Sequence, residues 1–302
     1  MINDAPRMHD DEVAIDENLV RRLLSEQFPR LAGLEVQRVA SSGTDNALFR
    51  LGADMALRLP RHEPTAGQPT REARWLPHLF PSFTLEVPEP LGLGVPGCGY
   101  PFDWSVCRWI EGEEARADAF ADPCATAREL ARFILALEAA GASGGPRPGR
   151  RNFGRGGPLS WREEGFRRSL AALADEVDAK TCEEAWREAL AAPQWPREGV
   201  WIHGDLQASN LIVREGRLVG VIDFGCLALG DPACELMAAW ALFEAASRRA
   251  FVQALPFDEA TWARARGWVV SGAVIGLAYY RRTNPAIVER ARTALAAVLS
   301  TR

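Results

Sequence analysis

His203-Gly204-Asp205-Leu206-Gln207-Ala208-Ser209-Asn210, joined through a short hairpin to Asp223-Phe224-Gly225, is the stretch on which the fold of this 302-residue chain turns. Val200-Trp201-Ile202 reads as a short strand entering a loop, and Asn210 opens the strand Leu211-Ile212-Val213. Glu215-Gly216 centres a turn, after which Leu218-Val219-Gly220-Val221-Ile222 is the returning strand. An antiparallel hairpin sets the residue before its first strand beside the residue after its second. Asn210 and Asp223 are therefore expected to meet at its open end.

A carboxamide and a carboxylate at one point suit a hard cation such as Mg²⁺. Asp205 lies five positions before Asn210 (210 − 205), at the tip of the loop, where its carboxylate can orient an incoming alcohol and accept its proton. Phosphoryl transfer asks of a protein chiefly positioning and charge neutralisation, and this set supplies both. Asp205 is the expected general base, and Asn210 and Asp223 are the expected metal ligands. His203, beside a Gly-Asp turn, is expected to hold the loop by packing and hydrogen bonding rather than to carry the proton. Either aspartate alone would be an ordinary acidic turn. The joint spacing, with Asp223 thirteen positions after Asn210 (223 − 210), is specific.

These residues resemble the aminoglycoside phosphotransferase family, the small-molecule relatives of protein kinases, and the resemblance runs along the whole chain. Gly230-Asp231-Pro232-Ala233-Cys234-Glu235-Leu236 is similar to the family's segment after the metal-binding aspartate, with Glu235 where Asp is commoner. By that resemblance Asp231 and Glu235 brace the catalytic loop first and face substrate second. The resemblance implies an α+β, protein-kinase-like fold in two lobes. Residues 1–108 would form a nucleotide-binding lobe, a five-stranded antiparallel sheet with one helix. Residues 109–302 would form a mainly helical lobe holding the catalytic loop and the acceptor site. The implied activity moves the γ-phosphoryl group of ATP or GTP, with Mg²⁺, to a hydroxyl of a small molecule. An aminoglycoside is the leading acceptor, and antibiotic resistance the implied role. A macrolide, a choline-like amine or a sugar are alternative acceptors, and a catalytically dead nucleotide-binding module is the alternative of a different class.

The composition fits such a chain. Hydrophobic residues at 47% and charged residues at 25% are ordinary for a folded globular protein. A net charge of −5 argues against a nucleic-acid partner, which a basic balance would serve, and weakly suits a cationic substrate. Six cysteines, at positions 98, 107, 124, 182, 226 and 234, make no C-x-x-C pair, so neither zinc nor a disulfide framework is signalled. The first dozen residues carry no apolar run, and the longest apolar stretch, residues 268–280, is shorter than the roughly 20 residues of a membrane span. A cytoplasmic protein with no membrane partner is expected.

Lys180 is the only lysine. Kinase-like enzymes hold the α- and β-phosphates with a strand lysine paired to a helix glutamate, and here Arg58 occupies that strand position. Its fork keeps the charge and changes the geometry. Strands are expected over 36–40, 47–51, 56–59, 88–93 and 105–110, and a helix over 70–79, with Glu72 the best partner for Arg58. The turn between the first two strands carries Ser42, Gly43 and Thr44, candidates to cover the triphosphate. Residues 107–113 look like the hinge, where the backbone of Trp109 and Ile110 could read a purine edge.

Beyond the hinge the apolar period becomes helical, first over 125–140. The Gly-, Pro- and Arg-rich run 141–157 is expected to be a solvated, flexible loop. Helices are expected again over 161–173, 182–190, 233–246, 258–280 and 286–299. Glu244, Trp240, Trp268, Tyr279 and Tyr280 are candidates for the acceptor pocket, with core packing the better account of the aromatics.

Overall fold

Three short strands, the second with period-2 burial, begin the architecture in the computed structural model, which describes residues 12–39, 45–116, 118–142 and 144–301. Val36–Arg38 (β1), Asn46–Leu51 (β2) and Met55–Pro60 (β3) form an antiparallel meander, with Leu48 opposite Arg58 and Phe49 opposite Leu57. Pro90–Gly94 (β4) and Trp104–Arg108 (β5) complete a five-stranded sheet in the order β1-β2-β3-β5-β4. Side chains alternate across a strand. On β3, Leu57 and Leu59 enter a small core with Phe49, Leu51 and Trp104, while Arg58 emerges on the opposite face.

An element that the sequence reading passed over closes that small core. Glu17–Gln27 (α1) buries Leu19, Val20, Leu23 and Leu24, spaced as one helical stripe, and Asp16 caps it by accepting from the Leu19 N–H at 2.7 Å. The expected helix after β3 is Gln68–Leu79 (α2). Leu76 and Leu79 of α2 belong to the larger, C-terminal core, so this helix packs with the helical part as well as lying by the sheet.

The larger core is built mainly of helices. Pro123–Ala139 (α3), capped by Asp122, supplies Leu130, Phe133, Ile134 and Leu137. Glu163–Ala172 (α4), Ala179–Ala191 (α5), Glu259–Tyr280 (α8) and Pro285–Leu299 (α9) pack around it. The expected single helix over 233–246 is broken. Pro232–Met237 is a 3₁₀ stretch, Ala238–Ala241 (α6) is one turn, and Ala245–Ala254 (α7) runs on beyond the expected end. The break is stabilised from a distance: the Arg248 guanidinium donates to the carbonyls of Ala239 at 2.9 Å and Phe243 at 3.0 Å.

Two small β units position the site. Glu113–Glu114 (β6) pairs with Leu211–Arg214 (β8), which pairs with Arg217–Val221 (β9). Val200–Ile202 (β7) pairs with Ala228–Gly230 (β10). The β8–β9 hairpin turns on Glu215 at φ 52° and Gly216 at φ 74°, the positive-φ pair that a two-residue hairpin needs. No helix among the described residues is long and apolar enough to cross a membrane. All six cysteines are free.

Asp231 and Arg264 tie β10 to α8. Arg264 is buried, and its Nε and Nη2 meet Asp231 Oδ2 at 2.6 Å and Oδ1 at 3.1 Å. Removing the carboxylate strands a buried charge, which costs about 3–5 kcal/mol. Asp231→Ala should lose that much by denaturant unfolding, and adding Arg264→Met should recover part of it. An unchanged midpoint in the single variant would show that the pair does not brace the fold.

Candidate active site

The His203–Asn210 loop is fixed before any ligand arrives. His203 is fully buried, with Nε2 3.0 Å from the Ile222 carbonyl and Nδ1 accepting from the Asp205 N–H at 3.2 Å. The ring is therefore the neutral Nε2–H tautomer, and burial lowers its pKa. Glu235 clamps the same bend: its Oε2 accepts from the His203 N–H at 2.9 Å and its Oε1 from the Gly204 N–H at 2.7 Å. Gly204 turns at φ 83°, and a Cβ there would lie 3.0 Å from the Cys226 carbonyl oxygen. Only glycine fits that bend without strain.

Asp205 and Asn210 are in direct contact. Asn210 Nδ2 donates to the Asp205 carbonyl at 2.9 Å and to Asp205 Oδ2 at 3.1 Å. Gln207 Nε2 reaches the same Oδ2 at 2.8 Å, and Arg155 Nη2 lies 3.2 Å from Oδ1. Asp223 arrives from the hairpin. The Ile222 N–H donates to the Asn210 carbonyl at 2.9 Å, so the next residue stands at the open end beside Asn210. Asp223 holds φ 63°, the left-handed region that a non-glycine enters at a cost, and its Oδ1 accepts from the Gly225 N–H at 3.3 Å. Phe224 anchors the turn among Phe83, Phe133 and His203, with ring centroids 5.6, 6.5 and 4.6 Å away.

Arg58 joins the sheet, α2 and this turn. Its Nη1 is 2.5 Å from Glu72 Oε2 and its Nη2 is 2.8 Å from Asp223 Oδ1. Burial works against the guanidinium charge, but Glu72 and Asp223 outweigh it and raise the Arg58 pKa. For Glu72 burial wins and pushes the carboxyl up, opposed by Arg58, in keeping with an Oε1 that is buried without a hydrogen-bond partner. Gln68 adds a second link from α2, donating to Asp45 Oδ2 at 3.2 Å and accepting from Asn46 Nδ2 at 3.0 Å. It also packs so closely on Gly225 that a Cβ there would lie 2.5 Å from Gln68 Cδ.

Three arginines carry contacts that sequence reasoning missed. Arg71 on α2 donates to the Gly225 carbonyl and, at 2.8 Å, to that of Arg151. Arg155 holds Asp205, and its Nη1 lies 3.6 Å from Met237 Sδ. Arg162 donates from Nε to Ser271 Oγ at 2.8 Å and lies over the Trp268 ring at 4.8 Å. Two of these contacts overturn the expectation of a solvated loop over 141–157. The loop packs because its neighbours take up its backbone. The Pro146 carbonyl accepts from Leu229 N–H at 2.7 Å and the Gly156 carbonyl from Asp231 N–H at 2.8 Å. Buried Asn152 bonds Gly149 N–H, Arg155 O and Cys226 O.

Of the other expected residues, Ser42, Gly43 and Thr44 lie outside the described residues. The Trp109 N–H is spent on the Asp54 carbonyl at 2.8 Å, and Arg50 covers the Trp109 ring at 4.6 Å. Ile110 is buried against Gly220, and no hydrogen bond to its backbone N–H or C=O is found among the described residues. The acceptor candidates are scattered. Trp240 bonds Thr301 near the C-terminus, Glu244 is exposed at the start of α7, and Tyr279 is exposed at the end of α8. Trp268, under Arg162, alone adjoins the cluster described above.

The donor set fits Mg²⁺. Both hydrogen bonds to the Asp223 carboxylate fall on Oδ1, and the Asn210 amide spends its nitrogen on Asp205, so Asp223 Oδ2 and Asn210 Oδ1 have no protein donor among the described residues. Hard oxygen ligands of this kind are what Mg²⁺ takes.

The profile of the phosphotransferase enzyme family spans residues 36–268, and the chain belongs to that family. No curated protein matches the sequence. Among solved structures, aminoglycoside 2′-phosphotransferase IIIa with GDP aligns at a TM-score of 0.72 and 18% identity, covering 95% of this chain and 99% of that one. A macrolide 2′-phosphotransferase from Brachybacterium faecium aligns at 0.59 and 23%, covering 93% and 98%. A streptomycin–ATP ternary complex of an aminoglycoside 2″-phosphotransferase aligns at 0.61 and 16%, covering 94% and 97%. These likenesses show the shared kinase-like fold.

Glu235 gives the loop a pH signature. Burial pushes its carboxyl from 4.5 up to about 7, although two backbone N–H groups favour the charge. The folded chain therefore holds a proton that the unfolded chain releases. The stability this contributes is full below the ordinary carboxylate range and is lost as pH rises through about 7. Between about pH 5 and about pH 8, the stability of the wild type relative to Glu235→Gln should fall, by at most about 1.4 kcal/mol per pH unit. A difference that stays constant across that range would mean the carboxyl titrates normally.

Proposed function

We propose that this chain is a nucleoside-triphosphate-dependent O-phosphotransferase acting on a hydroxyl of a small molecule, with Asp205 as general base. The observation that carries this reading is the convergence of Asp205, Asn210 and Asp223 around buried His203, braced by Glu235. A carboxylate has about four lone-pair directions, and the three donors on Asp205 leave one for an alcohol. Asp205 then takes the hydroxyl proton as the acceptor oxygen bonds the γ-phosphorus and the nucleoside diphosphate leaves.

Asn210 and Asp223 would hold Mg²⁺, which supplies charge neutralisation on the phosphates. Arg58, kept charged by Glu72 and Asp223, is the phosphate anchor, and Ser42, Gly43 and Thr44 the phosphate cover. The unspent backbone groups of Ile110, next to Trp109, support a purine-reading hinge at the end of residues 1–108, with 109–302 as the acceptor lobe. ATP or GTP serves as donor, since structures sharing the fold carry GDP or ATP. The names of those neighbours make aminoglycosides and macrolides the first acceptor classes to test, with antibiotic resistance the role that would accompany them.

Nucleotide binding and product formation with ATP and GTP, measured against aminoglycosides, macrolides, sugars and choline-like alcohols, test the reading. Asp205→Ala should keep nucleotide affinity and lose roughly 10²–10⁴-fold in turnover, the usual cost of a missing general base. Asp223→Ala should instead weaken binding of the Mg²⁺–nucleotide complex by calorimetry. Full turnover in Asp205→Ala, or no nucleotide affinity in the wild type, would overturn the proposal.

A further inference from the structure

The surroundings of Asp205 on the helical side are cationic. Arg155 and Arg162 come from the same connection, residues 141–162, and flank Met237. Arg155 Nη1 lies 3.6 Å from Met237 Sδ, while a Cβ on Gly272 would sit 3.4 Å from Met237 Cε and 4.0 Å from Arg162 Nη2. Arg162 is held by its inner edge alone, through Nε to Ser271 and its face on Trp268. Its Nη1 and Nη2 have no protein acceptor and are not sealed from solvent, among the described residues. A guanidinium fixed at one edge with its fork unspent is preorganised for a planar or tetrahedral oxyanion.

No carboxylate neutralises Arg162. Burial and the nearby Arg155 charge push its pKa down to about 9, so a proton-bearing fork persists at neutral pH under repulsion that an anion would relieve. The acids in this region are committed elsewhere. Asp205 is bonded to Arg155, Asn210 and Gln207, Glu235 to two backbone N–H groups, and Asp231 to Arg264. The acids that follow Arg162 face away: Glu163 is taken by Arg167 and Trp186, and Glu164 by Arg168. A polycation entering beside Asp205 would meet two guanidinium groups and no free carboxylate among these.

We propose that Arg155 and Arg162 make an anion-binding corner of the acceptor site, so the hydroxyl compound phosphorylated here carries a carboxylate or phosphate and is not a polycationic aminoglycoside. Arg162 grips the anionic group, and Arg155 positions Asp205 while adding to the field. This assignment of acceptor class rests on Asp205 as the base, which locates the acceptor hydroxyl.

Calorimetry on the full chain saturated with a non-hydrolysable ATP or GTP analogue tests the corner separately from the activity. The probes are gluconate, glucose 6-phosphate, uncharged glucose and kanamycin. The anionic probes should bind at least about tenfold more tightly than glucose, the worth of one charge-assisted contact at about 1.4 kcal/mol, and kanamycin should bind more weakly than either. The two anionic arms tell a carboxylate site from a phosphate site. Arg162→Met should erase the preference for the anion, and Arg162→Lys should keep part of it. A brace between α4 and α8 alone would leave the ranking unmoved. Equal affinities across the panel, no anion-selective binding, tighter binding of kanamycin, or an unchanged ranking in Arg162→Met would each overturn the corner. Failure of the nucleotide analogue to bind would instead overturn the phosphotransferase reading itself.

Discussion

A single buried guanidinium holds the two halves of the site in register. Arg58 leaves the middle strand of the sheet on the face away from the small core, and it is shared between Glu72 of α2 and Asp223 of the turn after the hairpin. Burying a charge costs several kcal/mol unless paired and hydrogen-bonded, and here two carboxylates from distant parts of the sequence supply the pairing. The strained φ of Asp223, the tight approach of Gln68 to Gly225 and the placement of α2 are all consistent with a turn fixed from outside by that charge. A lysine would bring one point charge to the same place. The arginine fork reaches both partners at once.

The parts of the fold legible in the sequence are those written in short-range grammar. The hairpin announced itself through the apolar runs Leu211–Val213 and Leu218–Ile222 around Glu215-Gly216, and antiparallel pairing then placed Asn210 and Asp223 at its open end. The sheet strands and α2 followed from the same periodicities. Most of what escaped was long-range or lacked a period. The stripe Leu19, Val20, Leu23 and Leu24 was readable and was passed over beside an acidic terminus. The break after α6 depends on Arg248 reaching back to carbonyls several residues away, which no helical periodicity reveals. The run 141–157 has the composition of a solvated linker, and only the backbone edges of residues 229–231 and Asn152 convert it into a packed wall.

Net charge was a poor guide to the local field. The chain as a whole carries −5, yet its acids beside the loop are consumed by backbone N–H groups, by Arg264 and by Arg155. Exposed charges farther off than a Debye length of about 8 Å are largely screened, so distant bookkeeping matters little. What an incoming molecule meets is set by which charges remain unpaired at the surface it touches. Near Met237 that is the guanidinium of Arg162.

The attachment of α2 has a mechanical corollary. Leu76 and Leu79 sink into the larger core, and Arg71 grips two carbonyls of the C-terminal part, so the helix is seated with the turn after the hairpin. Toward the sheet its side-chain links are Arg58–Glu72, Gln68–Asn46 and Thr70–Asp103, all polar. If the cleft gapes to admit or release a nucleotide, the seam that parts is therefore the one between α2 and the strands. Its detached ends can be solvated while the oily contacts stay shut, leaving the helix behind as part of the floor and the sheet as the moving jaw.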